Sequence, residues 1–141
     1  MSWGIGLYVG GLWATWQLVN GWTKDGRDIG WAEVTAIELA IVWLTQSGLH
    51  DACLKIHCDN NSVISSFWKG RSHFPAHNQT LCRMTILLSS SNLSISPTYI
   101  PSASNKADPL SQGILGISSS CIVPTTIVPE ELCGFVVDIV C

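Results

Sequence analysis

Cys53-Leu54-Lys55-Ile56-His57-Cys58-Asp59-Asn60-Asn61-Ser62-Val63-Ile64 changes character at its midpoint, and that change decides the fold class. Residues 53–58 read as a short strand. Asp59-Asn60-Asn61 then offers side-chain oxygens suited to the bare N–H groups at a helix start, and the following helix runs to about Trp68. A carboxylate therefore stands at the carboxyl end of a strand, where open α/β sheets place their sites.

Outward from this stretch, Lys69 to Pro75 reads as a loop, His77 to Leu88 as a second helix, and Leu93 to Ile100 as a strand that Pro97 assigns to a sheet edge. Ala107 to Ser111 opens a short helix with Asp108 near its start and Pro109 in its first turn. On the N-terminal side, Val34, Ile37, Ile41 and Leu44 recur at helical spacing within Trp31 to Gln46, and Gly48 ends the run. Earlier still, Trp3-Gly4-Ile5-Gly6-Leu7-Tyr8-Val9 places large apolar residues on odd positions, so a strand enters a hairpin at Gly10-Gly11 and returns through Leu12 to Val19. The expected order is β-β-α-β-α-α-β-α, an α/β fold with a mixed sheet flanked by helices. Residues 1–113 make one domain, and 114–141, apolar, serine-rich and aperiodic, read as a tail or linker.

Composition narrows the function. Charged residues are 12% of the chain against about a quarter in ordinary domains, 47% are hydrophobic, and the mean hydropathy is +0.32, which excludes a disordered or charged-tail protein. The net charge of −3 means that any binding of nucleic acid needs help from elsewhere. The glycines, Gln17 and Asn20 interrupt the charge-free start of the chain, so a membrane anchor is not expected there. The irregularly spaced cysteines contain no CxxC pair, which argues for reduced, mostly buried thiols in an intracellular protein, cytoplasmic or nuclear.

Acids are scarce enough to weigh singly. Glu33, at about 40° from Ile37 around the helix axis, falls inside the apolar stripe, while Glu38, at about 100°, falls on the flank. A carboxylate on a core-facing surface is costly without a partner or a metal. With Asp59 and Asp108 it makes three acids, from distant parts of the chain, able to meet at one sheet edge. Carboxylate oxygens are hard ligands for Mg²⁺, which takes further ligands from water and substrate phosphate, and a pair of such ions promotes phosphodiester hydrolysis.

These residues resemble a known family. Ala32-Glu33-Val34-Thr35-Ala36-Ile37 is similar to the Ala-Glu-Leu-x-Ala-Leu helix start of ribonuclease H domains, and His57-Cys58-Asp59-Asn60-Asn61-Ser62-Val63-Ile64 to their strand-then-Asp signature. Ile100-Pro101-Ser102-Ala103-Ser104-Asn105-Lys106-Ala107-Asp108-Pro109-Leu110-Ser111 resembles the Pro-Gly-x-x-Asn-x-x-Ala-Asp-x-Leu-Ser-Arg segment of retroelement ribonuclease H domains joined to reverse transcriptase. The resemblance implies a ribonuclease H-like fold and a metal-dependent endonuclease cutting the RNA of RNA–DNA hybrids beside an adjacent reverse transcriptase domain. It also implies Mg²⁺ or Mn²⁺ held by Glu33, Asp59 and Asp108 as catalytic acids. Asn60, Asn61, Lys69 and Arg71 are expected to contact nucleic acid, with Arg83 completing a modest basic group.

The family's fourth acid, an Asp on its central first strand, has no counterpart, and no Asp or Glu precedes Asp25. Ser102 replaces a turn glycine and Gln112 the arginine after Leu-Ser. The chain is thus expected to lack the family's first strand, to leave two strand edges unpaired, and to hydrolyse weakly or not at all. A catalytically dead binding module is the alternative, and a transposase or integrase core a remoter one. His50, Cys53, His57 and Cys58 do not make a zinc site, because alternate strand residues face opposite sides. Most of the tryptophans are expected in the core rather than stacked on bases.

Overall fold

The structure, a computed structural model, describes residues 4–24, 26–72, 74–112, 114, 120–121 and 128–138. Trp3 and most of 113–127 lie outside them. Strands β1 (Gly4–Val9) and β2 (Leu12–Leu18) form an antiparallel hairpin with Val9 opposite Leu12. The two connecting residues, Gly10 and Gly11, have φ of 53° and 85°, a left-handed path that the tight hairpin turn requires and that glycine adopts without a Cβ penalty.

Helix α1 (Ile29–Gln46) follows, with the Asp28 carboxylate accepting the Trp31 N–H at its start. Strand β3 (Ala52–Cys58) leads to α2 (Asn61–Lys69), capped by Asn60 and ended by left-handed Gly70. Helix α3 (Pro75–Ser90), strand β4 (Leu93–Tyr99), a single 3₁₀ turn at Ser102–Ser104 and the short α4 (Asp108–Ser111) complete the expected order.

The expected single mixed sheet is not formed. The hairpin belongs to an antiparallel sheet of order β1-β2-β5, while β3 and β4 make a separate parallel pair in which Ala52 lies opposite Leu93 and Cys58 opposite Tyr99. The physical reason is that no strand of the described residues bridges β1 to β3. Strand β4 is an edge, as Pro97 required, with Pro97 opposite Ile56. Strand β5 (Val136–Asp138) comes from the segment read as a tail: it pairs with β2, and Leu132 and Val136 enter the core. A three-residue strand draws its stability from the edge it joins rather than from a pattern of its own, so composition did not reveal it.

Helix α1 holds the two sheets together. Trp31, Ala32 and Leu39 pack with Ile5, Leu7, Trp16 and Leu18 of the hairpin, whereas Val34, Ile37 and Ile41 pack with Cys58, Val63, Leu81 and Met84. With apolar faces on both sides, α1 has no true flank, which overturns the angular expectation for Glu38. That side chain is 1% exposed and takes a two-pronged ion pair from Arg83 of α3, at 2.8 and 2.9 Å. Arg83 therefore does not belong to an outward basic group.

Among the described residues the tryptophans follow the core expectation with one exception. Trp13, Trp16, Trp22 and Trp31 are buried and Trp43 is half-buried against the core, but Trp68 on α2 is 63% exposed. The cysteines depart further from theirs. Of the free thiols among the described residues only Cys58 is buried, with Cys53, Cys82 and Cys133 exposed, and Cys121 is disulfide-bonded. Among the described residues no helix is long and apolar enough to cross a membrane.

Candidate metal centre

The acids singled out from the sequence meet along one cleft of about 840 Å³, whose lining includes Glu33, Asp59 and Asp108. Each arrives by a different local cause. Glu33 sits in the first turns of α1, on a helix held by the Asp28 cap and by packing on both faces. Asp59 is carried by the end of β3, whose ladder to β4 continues into the Ile100 N–H bond to the Cys58 carbonyl, 2.9 Å.

Asp108 begins α4, which is docked on the hairpin from two directions. The Thr15 hydroxyl donates to the Leu110 carbonyl at 2.8 Å, and a Cβ placed on Gly6 would collide with the Ala107 carbonyl and the Ser111 nitrogen. Glycine at position 6 is thus what lets α4 lie close enough to present Asp108.

Glu33, Cys58 and Asp59 each offer a ligand atom within 4.8 Å of the others, the one such group of three among the described residues. Asp108 stands outside this tight group but close enough for its charge to act on Glu33. Burial pushes the Glu33 carboxyl above its usual range, and the neighbouring charges of Asp59, Asp28 and Asp108 add to that, against a lowering hydrogen bond from Asn60. Burial likewise pushes the Cys58 thiol up to about 11, with Glu33 and Asp59 adding to the effect, so it is a neutral S–H at physiological pH.

Two amides frame the acids. Asn60 donates to Glu33 at 2.6 Å while its oxygen accepts from the Ser62 and Val63 N–H groups, so it ties Glu33 to the start of α2. This internal use differs from the nucleic-acid contact expected of it. Asn105 donates to Asp59 at 3.2 Å and accepts from the Ala107 N–H, linking Asp59 to the segment that carries Asp108.

Asn105 lies within the quoted Ile100–Ser111 motif, and its fixed distance before Asp108 was the available signal for it. Cys58 offered no such signal, because period-2 reasoning put it on the opposite side of β3 from Cys53 and His57, which is where it is. Its role as neighbour to Glu33 depends on the packing of α1. Asn61, Lys69 and Arg71 are exposed, at the start of α2, at its end and in the loop beyond. They are not drawn into the carboxylate group. His50 pairs with Asp51 at 3.0 Å and, like Cys53 and His57, is not part of the one group of three possible metal ligands among the described residues.

The group could hold a metal ion. Two carboxylates contribute oxygens beside the Cys58 sulfur and a third carboxylate lies near, and a cation would offset both the burial that mainly raises Glu33 and the neighbouring negative charges that add to it. Comparison of the chain with protein-family models, curated proteins and solved structures finds no match.

Proposed function

We propose that this chain is a ribonuclease H-like module of retroelement type, in which Glu33, Asp59 and Asp108 hold Mg²⁺ or Mn²⁺ against the backbone of an RNA–DNA hybrid. The observation that carries the reading is the convergence of Glu33 and Asp59, from α1 and the end of β3, into one group with their ligand atoms within 4.8 Å. When bound, divalent cations supply a water of lowered pKa and neutralise charge on the departing oxygen.

The protein's own residues supply position. Asn60 and Asn105 hold the two nearest carboxylates by hydrogen bonds, and α4 brings Asp108 to the same cleft. Exposed Lys69 and Arg71 are assigned to phosphate contact, and exposed Trp68, which precedes Lys69 in the chain, to stacking. With a net charge of −3, most of the affinity for hybrid is assigned to an adjacent reverse transcriptase domain.

A second reading, binding without cleavage, is favoured by one feature: the third member of the tight group is a neutral thiol rather than a carboxylate. Mg²⁺ prefers oxygen, so charge compensation at the centre is incomplete and hydrolysis by this chain alone is slow or absent. A metal titration on labelled RNA–DNA hybrid, beside an Asp59→Asn control, separates the readings. Metal-dependent cleavage lost in the control supports the nuclease, and metal-dependent binding with intact RNA supports the binding module. If wild type and control neither bind the metal nor differ on hybrid, both readings fail.

A further inference from the structure

The cleft that collects three acids also holds a cation that pairs with none of them. Lys106 lines it together with Glu33, Asp59 and Asp108, and follows Asn105, whose amide donates to Asp59 at 3.2 Å. Among the described residues the Lys106 ammonium makes no ion pair. Instead its Nζ lies 5.1 Å from the centroid of the Tyr8 ring, within the range over which an aromatic face attracts a cation.

Strand periodicity explains the placement. Ile5 and Leu7 are buried in the core, so Gly6 and Tyr8 occupy the other face of β1. Gly6 gives the bare surface on which Ala107 and Ser111 lie, and Tyr8, one period further along that face, meets the residue before Ala107. The packing that brings Asp108 to the cleft therefore also seats Lys106. Lys55, the other lysine of the lining, stands four residues before Asp59, about 13 Å back along the strand. Lys106 is the lysine at the acidic end.

A lysine held by a ring differs from one held by a carboxylate. A carboxylate neutralises the ammonium and takes up its donors, whereas the ring restricts its position and leaves three N–H groups open to an anion. We propose that Lys106, seated on Tyr8, grips the backbone phosphate next to the one held at the carboxylates, and so sets the register of the nucleic-acid strand on them. This rests on the reading above that such a backbone crosses the cleft. The contact positions the strand without reading its sequence. Tyr8 is a positioning residue, acting through Lys106.

The test uses the full chain and RNA–DNA hybrids in which single phosphates, one at a time along either strand, are replaced by uncharged methylphosphonate. Anisotropy with Mg²⁺ present gives the affinity, a gel confirms intact RNA, and scanning fluorimetry reads the metal response. Counterion release assigns one phosphate contact about 0.9 in the slope of log affinity against log salt, or roughly eightfold in affinity at about 0.1 M salt. Lys106→Gln is expected to lose that much.

Lys106→Arg, which keeps the charge and stacks on the ring, stays within about twofold of wild type. Tyr8→Leu costs about threefold and Tyr8→Phe, which keeps an aromatic face, costs less. Lys24→Gln, the same charge change outside the cleft lining, costs under about twofold. At one linkage the neutral substitution weakens wild type as much as Lys106→Gln does, and that variant no longer responds there. Any Mg²⁺-induced rise in thermal midpoint is retained in all these variants.

If Lys106→Gln keeps the wild-type response at every linkage, or Lys24→Gln costs as much, the proposal falls and the metal reading stands. Inorganic phosphate that displaces hybrid from wild type but not from Lys106→Gln, with no linkage singled out, assigns Lys106 to a free anion and also overturns it. A linkage response lost in Lys106→Gln, with no Mg²⁺ effect on wild type, upholds the grip and removes the metal reading instead. Failure of wild type to bind hybrid saturably overturns both.

Discussion

Replacing Arg83 by Met isolates the buried charge that ties α1 to α3. Glu38 is 1% exposed, and its two oxygens accept from Arg83 Nε and Nη2 at 2.8 and 2.9 Å, while the Arg83 side chain keeps 22% of its surface in water. The hydrogen bonds from Arg83 to Glu38 hold the guanidinium pKa above its ordinary value, against the opposing effect of burial. The pair is asymmetric, so its two halves should not cost the same to remove.

Arg83→Met strands a carboxylate in the interior and should cost about 3–5 kcal/mol, a large part of the roughly 5–15 kcal/mol that holds a domain together. Glu38→Gln leaves a guanidinium that still reaches water, and should cost only about 1–3 kcal/mol. Arg83→Lys keeps the charge but loses the planar fork, and should fall between. The double variant Glu38→Leu with Arg83→Met removes both charges and should lie within about 1–2 kcal/mol of wild type, because an apolar pair of similar volume replaces an ion pair at little net cost.

Urea unfolding followed by the fluorescence of the buried tryptophans measures all four. The strong coupling is the signature. If the two single changes cost the same and simply add in the double variant, Glu38 is not a desolvated charge that depends on Arg83, and the account of α1 as a helix buried on both sides is wrong.

Other perturbations probe the site and its supports. Glu33→Gln should raise the metal-free thermal midpoint, since the folded protein disfavours the charged form, and should abolish any Mg²⁺-induced rise in that midpoint; scanning fluorimetry with and without Mg²⁺ reads both. Asp28 shows the opposite sign. Burial raises its carboxyl, but the Trp31 N–H and His77 outweigh that and hold it below the usual range, so its contribution is full above the ordinary carboxyl pKa and disappears as pH falls through the lowered one. Asp28→Ala should cost about 1 kcal/mol at neutral pH and progressively less in acid, measured by urea midpoints across pH. Iodoacetamide at pH 7.5 should label exposed Cys53, Cys82 and Cys133 well before Cys58, whose thiol is buried and raised to about 11; equal labelling by mass spectrometry would contradict the burial of the β3 end. Charge reversal at Lys69 and Arg71 should weaken hybrid binding several-fold and flatten its salt dependence, with no change in unfolding midpoint.

The local elements were legible because each had a short-range cause. Gly10-Gly11 required a tight turn, Asp59-Asn60-Asn61 a helix start, and the spacing of Val34, Ile37 and Ile41 a helix face, and all of these stand in the structure. Glu33 and Asp59 were likewise singled out by local position, one on an apolar stripe and one after a strand. Pairings made across long separations were not legible. That Glu38 rather than Glu33 is the fully buried acid depends on α3 covering the second side of α1.

The sequence by itself determined the order of strands and helices from β1 to α4 and the identity of the acids available for chemistry, since propensity, capping and periodicity act over a few residues. Only the tertiary structure decided that the strands divide into two sheets, that β5 joins the hairpin, and that Cys58 and Asn105 border the acids. Those outcomes depend on which edges and faces find partners, and a partner distant in the chain leaves no periodic mark on either segment that meets it.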